Sequence, residues 1–338
     1  MTLTAFLLGA VIVTAAIFAF LNGFRDASAA VALSVRTRAL TPSVAVLLAS
    51  LFNCVGALFS VALTATFAEK LFTVPPGSVG LLLLLAALIG ASLWGIYLWW
   101  RGFPSSSTHA LISALVGASL GSAIMGHAPL EGINTTMLTL VLLPLLISPL
   151  VAFVLGFVAV YPTSWAARNT APHLVNRRSR QLQSVAGAAV AFGHGLQDGQ
   201  RTTAVVLFAL IAAGSIGVGE VPLWVPLFTA VLLAAGTLFG GWRISYTLGH
   251  RLVRIDPMRG FVAQMVAAGL LFVGAIGLHM PLSTTHTVTG AIAGAGANQR
   301  FAATNGRVLG RITLAWLATP VACLALGALF FLALSPLT

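Results

Sequence analysis

Charge is what this sequence has least of. Only 7% of its 338 residues are Asp, Glu, Lys or Arg, against about 25% in a soluble domain. With 59% hydrophobic residues and a mean hydropathy of +1.02, no soluble fold of this length can bury so much apolar surface, so the solvent is largely lipid. Cysteine is scarce too: Cys54 and Cys323 both sit in apolar runs, which excludes a disulfide framework and a thiolate metal site. No ordinary domain is left over once the apolar runs are removed, so they are not one signal peptide or anchor. The runs are also too long for barrel strands of about 10 residues, which leaves helices.

Apolar stretches cover 4–22, 41–66, 80–100, 135–160, 185–193, 202–218, 224–241, 261–279 and 312–334. The formal charge of +11 could suggest nucleic acid, but the arginines fall in gaps between those stretches, as cytoplasmic loops do. Arg36 and Arg38 share one gap, Arg168, Arg177, Arg178 and Arg180 the next large one, then Arg243 to Arg259, then Arg300, Arg307 and Arg311. Glu69, Glu131 and Glu220 fall in other gaps. The sequence therefore predicts both termini outside and a cytoplasmic basic linker at 161–183 between a first membrane half, 1–160, and a second, 184–338.

An internal repeat relates the halves. LNGFRDASAAVALSV (21–35) and FPSSSTHALISALVGASLG (103–121) match GHGLQDGQRTTAVVL (193–207) and MPLSTTHTVTGAIAGAGAN (280–298). Each half has a Gly-x-x-Asp step followed by a Pro-x-Ser-x-Thr-His step. The first Asp segment runs toward the arginine side and the second away from it, so the halves are expected in inverted orientation, with broken helices and re-entrant helical hairpins, a recurring transporter design.

The chemistry-bearing residues lie in these motifs. Asp26 and Asp198 are carboxylates inside apolar segments, costly and functional by default. Arg25 and Arg201 are their neighbours. Ser105, Ser106, Ser107 and Thr108, with Ser283, Thr284 and Thr285, follow prolines and open helices. Their reading is ordinary N-capping or, because the clusters are paired, two helix N-termini surrounding a tetrahedral oxyanion with amides and hydroxyls. His109 and His286 end the clusters as proton relays or as packing residues. His194 precedes the second Asp step as a supporting residue. Gly23, Gly195, Gly290 and Gly294 permit close helix approach or an unwound backbone.

On these motifs the chain resembles the PiT family of inorganic phosphate transporters, whose signature is a repeated Gly-x-Asn-Asp-x-x-Asn followed by a Pro-x-Ser-Thr-Thr-His hairpin. TLGHRLVRIDPMRGFVAQ, before the second hairpin, and AWLATP at 315–320 extend the likeness. FNCVGAL at 52–58 and HGLQDGQRT are similar to the bacterial, low-affinity, proton-coupled branch. The resemblance implies a homodimer in the cell membrane, with transport and scaffold parts. It also implies a phosphate and coupling-ion site formed by Asp26, Asp198, Ser106, Ser107, Thr108, Ser283, Thr284 and Thr285. The chain departs from the signature at Arg25, Ala29, Gln197 and Arg201, where neutral oxygen ligands for sodium are lost and positive charge for an anion is gained. This argues against sodium and for protons, with no cofactor or resident metal, although a divalent metal could travel with the substrate.

Phosphate carries about 1.5 to 2 negative charges near neutral pH and would be repelled by two bare carboxylates. A proton on Asp26 or Asp198 would remove that repulsion and couple the two fluxes. Sulfate or another tetrahedral oxyanion is the alternative substrate. A membrane-embedded enzyme using Asp and His, and an anion channel, are the readings from other classes. Symmetric duplication of the groups speaks against an enzyme, whose site needs distinct roles.

Overall fold

The computed structural model describes residues 2–60, 73–129, 143–278, 280–299 and 304–337. These residues form helices, here numbered α1 Leu3–Arg36, α2 Pro42–Phe59, α3 Ser78–Arg101, α4 Ser107–Ile124, α5 Leu143–Ala167, α6 Pro172–Ala212, α7 Trp224–Phe239, α8 Trp242–Tyr246, α9 Pro257–Phe272, α10 Thr284–Ala297 and α11 Gly306–Leu334. A π-helical turn, Thr247–Leu252, extends α8, and another, Val273–Gly277, extends α9. Seven of the described helices are long and apolar enough to cross a membrane, or eight if the α7–α8 pair, bent by 55°, is one span. The chain is thus an all-helical, multi-pass membrane protein.

Local sequence explains most of the helix ends. Pro42, Pro172 and Pro257 sit at the first helical turn, where the missing N–H is not needed. Gly102 closes α3 at φ 72°, a left-handed conformation that glycine adopts without Cβ strain. α3 is apolar on every side, and Leu81 to Leu88 are all buried, as expected of a helix enclosed by other helices.

Two expectations change in detail. The stretches 185–193 and 202–218 belong largely to one helix, α6, which passes unbroken through Asp198 for 41 residues. α1 likewise runs through Asp26 without interruption. The breaks lie instead at 102–106, between α3 and α4, and at 280–283, before α10, where α3 with α4 and α9 with α10 pack as two helical hairpins. The segment 161–183 is mostly helical: it holds the end of α5, a turn at 168–171 and the start of α6.

Packing repeats between the halves. α1 packs on α7 while α6 packs on α2, and α4 packs on α11 while α10 packs on α5. Each crossing is made close by small residues. A Cβ at Gly23 would strike the Leu233 carbonyl, and one at Gly236 that of Phe20. At the matching crossing Gly195 meets Asn53 and Gly56 meets Phe192. Gly117 against Leu324 and Gly294 against Phe153 do the same at the other pair. The glycines singled out in the sequence therefore serve close helix approach.

The arginine-bearing helix ends gather at one end of the bundle. Arg101, Arg251, Arg254 and Arg311 line one cavity there, and Arg38, Arg177 and Arg180 another. Leu3, at the start of α1, and Leu334, at the finish of α11, lie at the opposite end, as does Glu220 in the turn after α6. Glu69 and Glu131 fall outside the described residues. Two apolar clusters fill the ends. One joins Leu7 to Phe18 of α1 with α3, α4 and the second half of α6; the other joins Ala29 to Leu33 with α9, α10 and Leu248. The polar motifs lie between these clusters.

Candidate functional site

α4 belongs to the apolar cluster of one end and α10 to that of the other, and their N-termini meet in the middle. Ser106 caps α4, its Oγ accepting from the His109 amide at 3.2 Å. Ser283 caps α10 in the same way, from His286 at 3.3 Å. Ser106 and Ser283 are therefore N-caps, and hydroxyls that follow them reach the aspartates. Thr285 donates to Asp26 Oδ1 at 3.0 Å. Ser107 Oγ lies 3.2 Å from Asp198 Oδ2 and 3.5 Å from Asp26 Oδ2. The other hydroxyl of each pair, Thr108 and Thr284, is buried with no hydrogen-bond partner among the described residues, so each helix start offers a donor.

α1 and α6 deliver the carboxylates. His194 lies four residues before Asp198, on the same helix face. Its Nε2 is 3.2 Å from Asp198 Oδ2 and 3.7 Å from Asp26 Oδ2, so it bridges the pair. Asn53 fixes that ring through Nδ1 at 3.0 Å and is itself held by Thr237 at 2.8 Å. Arg201 forms an ion pair with Asp198 Oδ1, and its Nε donates to the Gln197 carbonyl at 2.8 Å. Asn22 donates to Asp198 Oδ2 at 2.5 Å. Asp198 therefore has a fixed cation, whereas the partners of Asp26 among the described residues are hydroxyls and His194.

Arg25 goes elsewhere. Its guanidinium donates to the Ser105 carbonyl at 3.1 Å and to Ser105 Oγ at 2.7 Å, at the base of the first hairpin. Gln197, at the equivalent position of the repeat, accepts from the Leu282 amide at 3.3 Å, at the base of the second. Both side chains tie an Asp-bearing helix to a hairpin turn, and among the described contacts neither reaches an aspartate. Sequence reasoning placed Arg25 against the anion; its side chain passes Gly95 and binds Ser105, the first residue of the first Ser/Thr cluster. His109 and His286 face one another with ring centroids 4.9 Å apart, and His286 lies 4.1 Å from Trp316. Trp316 Nε1 donates to the Pro104 carbonyl at 2.9 Å, so this stack joins the two hairpins to α11.

Asn22, Asn53, Thr237 and Trp316 were not singled out from the sequence. Asn22 carried a signal, since it precedes Asp26 by the same four residues that separate His194 from Asp198. Asn53 and Trp316 lie in segments that carry the family likeness, FNCVGAL and AWLATP, without being marked within them, and Thr237 is a single polar residue in an apolar helix.

The cluster can hold positive charge. Asp26, His194 and Asp198 each offer a ligand atom within 4.8 Å of the others, the spacing of a small cation's ligands. All three are buried, as are Ser107, Thr285 and Arg201. Hydroxyl donors, two helix N-termini and a carboxylate pair thus converge in one buried cluster to which both halves contribute.

Comparison with known proteins shows the family. A phosphate transporter family model matches residues 22–327. A probable low-affinity inorganic phosphate transporter of Rhizobium meliloti is 39% identical over 98% of each chain. One of Bacillus subtilis is 34% identical over 96% of each. A solved structure, a sodium-dependent phosphate transporter, superposes with a TM-score of 0.83 over 98% of this chain and 99% of its own, at 22% identity, and shows a shared fold. With a family model spanning both Asp motifs and both hairpins, and relatives matched along almost their whole length, this chain belongs to the phosphate transporter family.

Proposed function

We propose that the protein is a proton-coupled symporter of inorganic phosphate in the cell membrane, with its two halves inverted and its arginine end in the cytoplasm. One observation carries the reading: two hydroxyl-bearing helix N-termini, one from each half, converge on a buried carboxylate pair of which only one member has a fixed cation. A phosphate ion between α4 and α10 would take donors from Ser107, Thr108, Thr284 and Thr285, with the helix dipoles adding to the attraction. Ser106 and Ser283 hold the two helix starts in place.

The same asymmetry supports protons over sodium. Arg201 and Asn22 already engage Asp198, so a sodium ion would compete with a guanidinium for that carboxylate. Asp26 is the charge still to be neutralised, and His194 lies between it and Asp198. A proton held by Asp26 and His194 lowers the repulsion felt by phosphate, so the two bind together. A divalent metal travelling with phosphate would meet the same need at Asp26, His194 and Asp198. The apolar clusters above and below the site serve as the two gates, opened alternately by rocking of one half on the other. His109 and His286, stacked on Trp316, join the hairpins that must move.

The test is uptake of labelled phosphate by proteoliposomes under an inward proton gradient without sodium, with sulfate as competitor. Wild-type uptake should follow the gradient and ignore sulfate. Asp26→Asn should lose the dependence on the gradient and on pH. Sodium-dependent uptake, or an unchanged pH response in Asp26→Asn, defeats proton coupling; uptake of sulfate in preference to phosphate defeats the substrate. Cross-linking in the same vesicles should capture the homodimer expected of the family.

A further inference from the structure

The arginine end holds a second feature, apart from the aspartate site. A cavity of about 910 Å³ opens there among the end of α3, the first hairpin turn, the π turn after α8 and the start of α11. Its charged lining is Arg101, Arg251, Arg254 and Arg311, with His250 beside them and no carboxylate among the described lining residues. Asp256, two residues beyond Arg254, is held by Arg259 at 2.5 Å. Arg101 and Arg311, with Phe103, also line a depression of about 400 Å³ that continues between α3 and α11. Its remaining walls are apolar or aromatic, including Trp94, Leu98, Leu314 and Ala318. Beside the basic cavity Trp100, Trp242 and Tyr246 are exposed, at 58%, 42% and 52%, as aromatic residues are where a bilayer meets water.

We propose that this joined cavity and groove binds one anionic phospholipid, its phosphate among the arginines and an acyl chain along the groove between α3 and α11. Guanidinium groups suit a phosphodiester because each can donate two parallel hydrogen bonds. Basic pockets between helices at the cytoplasmic face recognise such headgroups. A free phosphate ion would use the basic cavity and leave the groove without a role. The groove shares Arg101 and Arg311 with that cavity, so one amphiphile satisfies both. The site bears on the hairpin: Phe103 lines cavity and groove alike, and Thr247 holds the Gly102 carbonyl at 2.8 Å. A bound lipid would therefore steady the turn that leads to Ser105 and Ser106.

The experiment is native mass spectrometry of the full-length protein in neutral detergent, titrated with phosphatidylglycerol or phosphatidylcholine. Wild type should retain one phosphatidylglycerol about tenfold more readily than phosphatidylcholine. Arg101→Gln with Arg311→Gln should weaken retention by roughly tenfold or more. Ala318→Phe, which fills the groove and keeps every charge, should weaken it as much, whereas Arg177→Gln with Arg178→Gln should leave it unchanged. In wild type, phosphatidylglycerol with brominated acyl chains should quench Trp fluorescence, less so in Trp94→Phe, which makes the test independent of how well Ala318→Phe folds. Retention indifferent to the groove but displaced by inorganic phosphate would overturn the proposal in favour of a site for the free ion. Equal loss in the Arg177/Arg178 control would overturn it in favour of unspecific attraction, and a change of oligomer mass in Ala318→Phe in favour of a second copy on the groove.

Discussion

Arg201→Gln is the substitution whose cost can be worked out most directly. The Arg201 and Asp198 side chains are buried and paired. Removing one partner of a buried pair costs about 3–5 kcal/mol, chiefly because the other charge is left uncompensated. Here Asp198 keeps Asn22 at 2.5 Å, His194 at 3.2 Å and Ser107 at 3.2 Å, so the loss should fall near the lower end, about 3 kcal/mol, or roughly two decades in the folding equilibrium. Asp198→Asn alone should also destabilise, because the buried guanidinium then lacks its anion. The double variant Arg201→Gln/Asp198→Asn has neither charge and should regain stability to within about 1 kcal/mol of wild type. It should still fail to transport, since the carboxylate pair is gone. Unfolding in mixed micelles measures the first quantity and proteoliposome uptake the second. A loss below about 1 kcal/mol in Arg201→Gln, or a double variant no more stable than the singles, would refute the argument that this pair is an interdependent buried unit.

Thr285→Val keeps the shape of the side chain and removes its bond to Asp26; a hydrogen bond to a charged group is worth about 1.5–3 kcal/mol, so initial phosphate uptake should fall at least about tenfold. Thr289→Val, whose hydroxyl donates to the Thr285 carbonyl of its own helix, should change uptake little in the same assay. Gly294→Val sets a side chain against the Phe153 carbonyl and should cost at least about 1–3 kcal/mol. Gly269→Ala meets nothing within 4 Å and should stabilise α9 by about 0.5–1 kcal/mol; thermal unfolding in detergent separates the two. Asn305→Ala removes the side chain that caps α11 through the Arg307 and Val308 amides and should lower stability by about 1 kcal/mol in the same measurement.

The sequence by itself determined the solvent, the helical class and the pairing of motifs. A chain with this little charge can fold only where lipid covers its apolar faces, and lipid demands that backbone groups bond within each helix. The repeated Gly-x-x-Asp step makes Asp26 equivalent to Asp198, and the shared hexamer makes His109 equivalent to His286, because an internal repeat is a property of order along the chain. Direction in space is not such a property. Whether Arg25 would turn toward the carboxylates or toward Ser105 depended on where α3 and the first hairpin lie, and only packing decided it. The unbroken course of α1 and α6 through their aspartates was hidden for a related reason: the polar residues around Asp198 read as an interruption, yet a helix tolerates them once neighbouring helices supply partners. The bridge from His194 to both carboxylates, the orienting contact from Asn53 and the convergence of α4 with α10 all join residues far apart in the chain. Such contacts exist only when glycine-lined crossings bring the two halves together, so they belong to the tertiary structure alone.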